Sequence, residues 1–84
     1  MVLAALPGDD VILCQITSKL KSDTHSVPLE SPDFTFGGLN QSSRVRPNRL
    51  FTADQAIVVY RAGHVSDAKL SEVHDRLIAI LKHP

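Results

Sequence analysis

The chain has 84 residues, enough for one domain with a single core and too few for two, so we expect residues 1–84 to form a single domain. Nine basic residues balance nine acidic ones, so no overall field draws the chain to nucleic acid or to a membrane. With 43% hydrophobic and 21% charged residues, the composition excludes disordered and low-complexity classes. A domain this small buries only about 60–65% of its unfolded surface, which favours a stabilising partner subunit or ligand.

The first 16 residues predict a β-hairpin. Apolar runs at residues 2–6 and 11–16 flank Pro-Gly-Asp-Asp at 7–10, and these residue types are typical of turns. The second run is apolar on both faces, which predicts an interior strand, and its Cys14 should be a buried, unreactive thiol. The first run is too short for a signal peptide or a membrane span, and we expect a cytoplasmic protein. Because the chain starts at a strand without a polar lead-in, we expect its amino terminus to be incomplete.

The middle of the chain predicts shorter elements. Residues 19–24 are polar and predict a loop, and residues 25–29 alternate around Pro28, which predicts an edge strand. Residues 30–40 hold proline and glycines, and they predict an ordered loop anchored by Phe34 or Phe36. Residues 42–45 predict a weak strand, and the β-branched run at 56–61 predicts a strong one.

An amphipathic helix is the clearest predicted element. Ser66 is a typical N-cap and Asp67 suits the positive end of the helix dipole, while Pro84 ends the segment. The apolar positions recur at helical spacing and comprise Leu70, Val73, Leu77, Ile80 and Leu81. Several short strands followed by one helix predict the α+β class, as a small antiparallel β-barrel or curled sheet closed by the C-terminal helix.

The only basic cluster consists of Arg44, Arg46 and Arg49, in a stretch (34–53) without acidic residues. Arginine forks bind phosphate with two hydrogen bonds, so this spacing beside Asn48 and Phe51 is typical of a nucleic-acid backbone site with a stackable base. The alternative is that these arginines are solvated or paired with carboxylates, as exposed arginines often are.

Two further groups of side chains are candidates for chemistry. Thr17 and Ser18 place hydroxyls where a buried strand emerges, a position that suits either a cleft or ordinary turn formation. The four histidines show no pairing typical of metal ligands, so we expect no metal and no cofactor. His25 is the one candidate general base, whereas His74 is expected at the edge of the core.

The order of five short motifs resembles the PemK/MazF toxins of bacterial toxin–antitoxin pairs. The motifs are Leu-Cys-Gln-Ile-Thr-Ser (13–18), Val-Pro-Leu (27–29), Gly-Leu (38–39), Ser-Arg-Val-Arg-Pro-Asn-Arg-Leu (43–50) and Gly-His-Val-Ser-Asp-Ala-Lys-Leu (63–70). They span nearly the whole chain, and the helix start at 63–70 is the most diagnostic of them.

This resemblance implies a fold, an activity and a set of partners. It implies an SH3-like β-barrel with a C-terminal helix, partly open here, and a homodimer that cleaves single-stranded mRNA without metal through attack of the ribose 2′-hydroxyl. A cognate antitoxin would inhibit it and would bind operator DNA together with it. The motif match carries over Thr17 as the hydroxyl near the phosphate and Arg46 as the group that stabilises the phosphorane charge and donates a proton. Ser18, Arg44, Asn48 and Arg49 are then expected to contact the RNA.

Two departures from the family pattern favour an alternative function. Family members carry a first strand and a loop ending in Arg-Pro, with a catalytic arginine, upstream of the residues seen here as 2–6. In addition, Asn48 stands where the plasmid-encoded branch has an aspartate, and an amide cannot take a proton. The alternative is a truncated or catalytically inactive homologue that only binds the antitoxin and, with it, operator DNA. An unrelated SH3-like adaptor has little support, because the chain has no tryptophan and few aromatic residues for a peptide groove.

Overall fold

The computed structural model describes residues 1–19, 23–57 and 62–83. The strands are β1 (Val2–Ala5), β2 (Asp10–Thr17), β3 (Val27–Leu29), β4 (Phe34–Gly37), β5 (Ser43–Asp54) and β6 (Gly63–Val65), and the helix is α1 (Asp67–Lys82). All strand pairs are antiparallel, with a four-stranded sheet in the order β1-β2-β5-β3 and a separate β4-β6 pair. The predicted α+β class is confirmed, as a curled half-barrel with one C-terminal helix.

The predicted hairpin and edge strand are both present. β1 and β2 are joined by a turn in which the Leu6 amide donates to the carbonyl oxygen of Asp10, at 2.9 Å, and Gly8 adopts the positive φ of 84° that glycine tolerates best. β2 is paired on both sides, as its apolar run predicts, and β3 lies at an edge of the sheet, where Pro28 disrupts no central ladder.

The middle of the chain differs from its prediction in three places. β5 runs for 12 residues, because β2 and β3 pair with it from both sides and outweigh the poor strand propensity of Pro47 and Asn48. Residues 30–40 hold a 3-10 turn (Ser31–Asp33) and β4 rather than a loop. The prediction of a strand at 56–61 is wrong at its start, because Gln55–Ile57 forms a 3-10 turn. The rest of that prediction, residues 58–61, lies outside the described residues.

The core lies between α1 and one face of the four-stranded sheet. It consists of Leu3, Cys14, Val27, Leu29, Val45 and Val73, with Leu70, Leu77 and Phe34 packed at its margin. Phe34 is therefore the aromatic anchor of the segment 30–40, whereas Phe36 is 59% exposed and stacks on His64. Within the described ranges, no helix is both long and apolar enough to cross a membrane.

The helix begins and packs largely as its sequence predicts. The Ser66 hydroxyl accepts a hydrogen bond from the Lys69 amide at 3.1 Å, which is the expected N-cap. His74 lies at the core edge as expected, with its Nε2 2.8 Å from the carbonyl oxygen of Leu3. Leu81 is predicted to belong to the apolar, core-facing side of the helix, and this prediction is wrong. The side chain is 69% exposed on the last helical turn, beyond the sheet that covers Val73.

Candidate functional site

One surface of the sheet, away from α1, gathers most of the polar side chains predicted for the site. Along β2 and β5, Cys14, Ile16 and Val45 pack into the core, so the alternation of a strand turns their neighbours to the opposite face. We call this surface the arginine face, and its members are Gln15, Thr17, Pro28, Arg44 and Arg46.

Thr17 and Arg46 are neighbours on the arginine face. Thr17 lies directly opposite Arg44 across the ladder, and Gln15 lies directly opposite Arg46. Thr17 and Arg46 are therefore a diagonal pair, at the separation of about 7–8 Å that such pairs show across antiparallel strands. A phosphate placed between them is within reach of both a hydroxyl and a guanidinium group.

The guanidinium of Arg46 has unfilled hydrogen-bonding capacity. Its Nη1 donates to Gln15 Oε1 at 3.2 Å, at the exposed end of the side chain. Its Nε is buried and has no hydrogen-bond partner in the described part of the chain, the one buried side-chain polar atom there with this property. An anion from solution cannot reach this buried Nε, so the part of Arg46 suited to hold an anion is the exposed end of the guanidinium, where Nη1 lies.

Arg44 is occupied by the protein itself. Its Nε donates to the Ser26 hydroxyl at 2.5 Å and its Nη2 to the Ser26 carbonyl oxygen at 3.2 Å. These bonds fix the segment 23–26, which precedes β3, against the arginine face. Arg44 therefore has a positioning role in the structure beyond the phosphate contact expected from sequence.

A bulge of three residues interrupts β5 at one end of the arginine face, directly after Arg46. Cys14 and Gln15 are consecutive on β2, but their partners Leu50 and Arg46 are separated by three residues, Pro47, Asn48 and Arg49. Pro47 has no N–H to leave unpaired and is fully buried, which suits a bulge. Asn48 and Arg49 are exposed on the bulge, and Pro47 separates them from Arg46 in the chain.

The two hydroxyl residues at the end of β2 differ in environment. Thr17 is half-buried and its Oγ1 accepts a hydrogen bond from the Lys19 amide at 3.1 Å, a turn-forming contact of the ordinary kind. Ser18 is exposed and follows the last residue of the strand. Thr17 belongs to the arginine face by register, whereas Ser18 lies at its margin.

The segment 23–26 is a compact turn that sequence reasoning missed. Asp23 Oδ1 accepts hydrogen bonds from the amides of Ser26, at 2.6 Å, and His25, at 2.8 Å. These two bonds hold the pKa of Asp23 below its ordinary value, and the charge of Arg46 adds a smaller effect in the same direction. The Asp-Thr-His-Ser order is typical of such a turn and could have identified it.

The turn brings His25 to the margin of the arginine face. Its backbone is held by Asp23, and its side chain is exposed. In the described part of the chain, no three His, Cys, Asp or Glu side chains come together in a way that could hold a metal ion. The charge of Arg46 acts on the carboxylate of Asp23, which places that carboxylate near the arginine face.

Comparison with known proteins gives one match. A family model for the PemK-like, MazF-like toxin of type II toxin–antitoxin systems matches residues 2–81. The matched region contains the whole arginine face, the bulge in β5 and nearly all of α1. No curated protein shows a significant match to the chain.

Proposed function

The chain belongs to the PemK-like, MazF-like toxin family of type II toxin–antitoxin systems, and we propose that it cleaves single-stranded mRNA at the arginine face. The observation that carries this proposal is the placement of the half-buried Thr17 and Arg46 as diagonal neighbours on one surface of the sheet. A hydroxyl and the exposed end of a guanidinium at this separation suit a phosphodiester of an extended strand.

The reaction proposed is attack of a ribose 2′-hydroxyl on the adjoining phosphate. The new bond joins O2′ to phosphorus while the bond from phosphorus to the 5′-oxygen breaks, which leaves a 2′,3′-cyclic phosphate and a free 5′-hydroxyl. Arg46 stabilises the charge that develops on the phosphorane oxygens and donates a proton to the leaving 5′-oxygen, and the proton released from the 2′-hydroxyl restores it through solvent. The Thr17 hydroxyl orients the phosphate, and Ser18, Arg44, Asn48 and Arg49 hold the flanking strand.

The group that accepts the 2′-hydroxyl proton must come from elsewhere than the bulge, because Asn48 is an amide. His25 is the candidate in this chain, since it lies in the turn that Arg44 holds against the arginine face. A neutral imidazole accepts a proton through its unprotonated ring nitrogen, which suits a general base.

The second candidate function is a catalytically inactive homologue that binds the cognate antitoxin, and operator DNA together with it. The exposed amide of Asn48, next to the arginine proposed to hold the phosphate, favours this function. In either case we place the protein in the cytoplasm and expect a homodimer, consistent with its small core and with exposed apolar side chains such as Ile78 and Leu81.

The decisive experiment incubates a long single-stranded RNA with the purified chain in EDTA, after circular dichroism confirms folding. Arg46→Ala should abolish cleavage, because the phosphorane loses its charge partner, and His25→Ala should reduce it. Lys82→Ala is the matched control, since it removes one positive charge from the end of α1, away from the arginine face. Cleavage that survives Arg46→Ala contradicts the proposed site.

Cleavage and antitoxin binding, measured together, separate the two candidate functions. If the folded chain does not cleave RNA but still binds a peptide of the cognate antitoxin, the inactive homologue is supported. If RNA binds, Arg46→Ala should also flatten the salt dependence of the affinity, because one fewer counterion is released from the strand.

A further inference from the structure

An apolar row continues the surface of the arginine face beyond the bulge in β5. Phe51 lies directly opposite Leu13, and Leu13 lies directly opposite Val2 on β1. We call these three residues the Phe51 row. Leu13 and Gln15 are two residues apart on the same strand, so the row lies on the same side of the sheet as Arg46, about 7 Å away along β2.

The bulge is what places Phe51 on this side. Arg46 and Phe51 are five positions apart, and simple strand alternation would put them on opposite faces. The three additional residues of the bulge shift this alternation by an odd number, and the observed pairing of Phe51 with Leu13 restores both side chains to one surface.

Phe51 and Val2 of the row are exposed, and the part of β5 that carries Phe51 has basic residues nearby in sequence. Phe51 is 52% exposed and Val2 50% exposed, which leaves an aromatic ring accessible at the sheet surface. Arg49 lies on the bulge between Phe51 and Arg46, and residues 34–53 contain no carboxylate. An exposed ring beside guanidinium groups is the combination that binds single-stranded nucleic acid, in which the bases stack and the phosphates pair with arginine.

We propose that Phe51 is a stacking subsite for one RNA base, adjoining the phosphate held by Arg46; this inference rests on the function proposed above. The subsite takes any base, because every base presents a π-face.

The chain contains no tryptophan, so Phe51→Trp supplies a single fluorescent reporter at the row. The probe is a mixed-sequence pool of ten-nucleotide 2′-O-methyl RNA, which has no 2′-hydroxyl and cannot be cleaved. Stacking should quench the fluorescence as the pool binds. Phe36→Trp is the matched control, because Phe36 is similarly exposed but lies on β4, outside the β2–β5 sheet, and its signal should not change.

Affinity measured by fluorescence anisotropy gives a second readout. Phe51→Ala should weaken binding of the labelled pool about 5- to 150-fold, whereas Phe51→Tyr, which keeps a ring, should stay within about twofold of the unsubstituted chain. A sugar-phosphate oligomer of equal length without bases should bind the unsubstituted chain and Phe51→Ala equally.

The outcomes separate this inference from the function on which it rests. Binding that depends on Arg46 but neither quenches the Phe51→Trp signal nor weakens in Phe51→Ala overturns the stacking subsite and leaves the proposed function intact. No binding by the unsubstituted chain overturns both. If Phe51→Ala abolishes a concentration-dependent dimer in sedimentation while RNA affinity is unchanged, the row is a surface between two copies, and the stacking subsite is also overturned.

Discussion

Arg76 of α1 and Ser26 of the turn before β3 are joined by a hydrogen bond of 3.4 Å from Nη1 to the carbonyl oxygen. Arg76 also donates to the Thr24 carbonyl oxygen at 3.0 Å, and Arg44 reaches the Ser26 carbonyl oxygen from the sheet. The turn is thus held from the helix and from the sheet at once. The helix that closes the core therefore also positions the polypeptide beside the arginine face.

Arg76→Gln should loosen the turn without unfolding the protein. The amide of Ser26 should exchange its hydrogen faster, while global stability falls by less than about 1.5 kcal/mol, since the lost bonds are at least partly exposed. Hydrogen exchange followed by NMR measures this directly. Arg49→Gln, on the bulge, serves as the control, and equal exchange at Ser26 in the two variants would contradict the role given to Arg76.

Val73→Ala should destabilise the protein by about 2 kcal/mol, because Val73 is fully buried against the sheet and its removal leaves a cavity. Urea unfolding measures the change. Leu81→Ala, on the same helix, should change stability by no more than about 0.5 kcal/mol, since the side chain is largely exposed. Similar losses in both variants would mean that the helix packs with a different face.

Ser66→Ala should lower the free energy of unfolding by about 1 kcal/mol, because the Ser66 hydroxyl accepts a hydrogen bond from the Lys69 amide at the start of α1. Thermal unfolding followed at 222 nm reports the loss. Ser71→Ala, at an exposed position inside the helix, should be neutral or slightly stabilising. A larger effect at Ser71 than at Ser66 would be inconsistent with the N-cap.

Cys14 should be unreactive in the native protein. Its thiol is buried, and this burial raises its pKa, so little thiolate forms near neutral pH. Labelling by an aromatic disulfide should be at least about 100-fold slower than in denaturant. Ala68→Cys adds an exposed thiol on α1 and should give one fast reaction beside the slow one.

Acid should weaken the turn at Asp23. Its pKa is lowered in the folded state, so the carboxylate contributes stability above its unfolded pKa of about 4 and loses that contribution as the pH falls through the folded value. Asp23→Asn removes this contribution to the pH dependence. The stability difference between the two proteins should therefore shrink from pH 6 to pH 3 in urea titrations, and a constant difference would show that the carboxylate charge is irrelevant.

The helix, the hairpin and the edge strand could be predicted because each depends on local chemistry. Ser66 caps its own helix, Gly8 adopts a turn conformation suited to glycine, and Pro28 tolerates only certain strand positions. The sequence also singled out Thr17 and Arg46, and strand pairing brings them to one face.

The bulge and the turn contacts depend on partners distant in sequence and could not be predicted in this way. Pro47 is a local sign of a break in the ladder, but it does not show that three residues leave it, so the face occupied by Phe51 stays ambiguous in the sequence alone. Likewise, Ser26 meets Arg44 and Arg76, 18 and 50 residues away, only after the sheet and helix have packed.

The order of strands has a consequence during synthesis. β2 ends at residue 17. Its second partner, β5, ends at residue 54, and α1, which covers the core that β2 and β5 share, follows later still. A nascent chain on the ribosome therefore holds an apolar β2 that is paired only with β1 until well over half of the sequence has emerged. Thr17 and Arg46 become neighbours only at that late stage, so the surface we assign to RNA does not exist on short nascent chains.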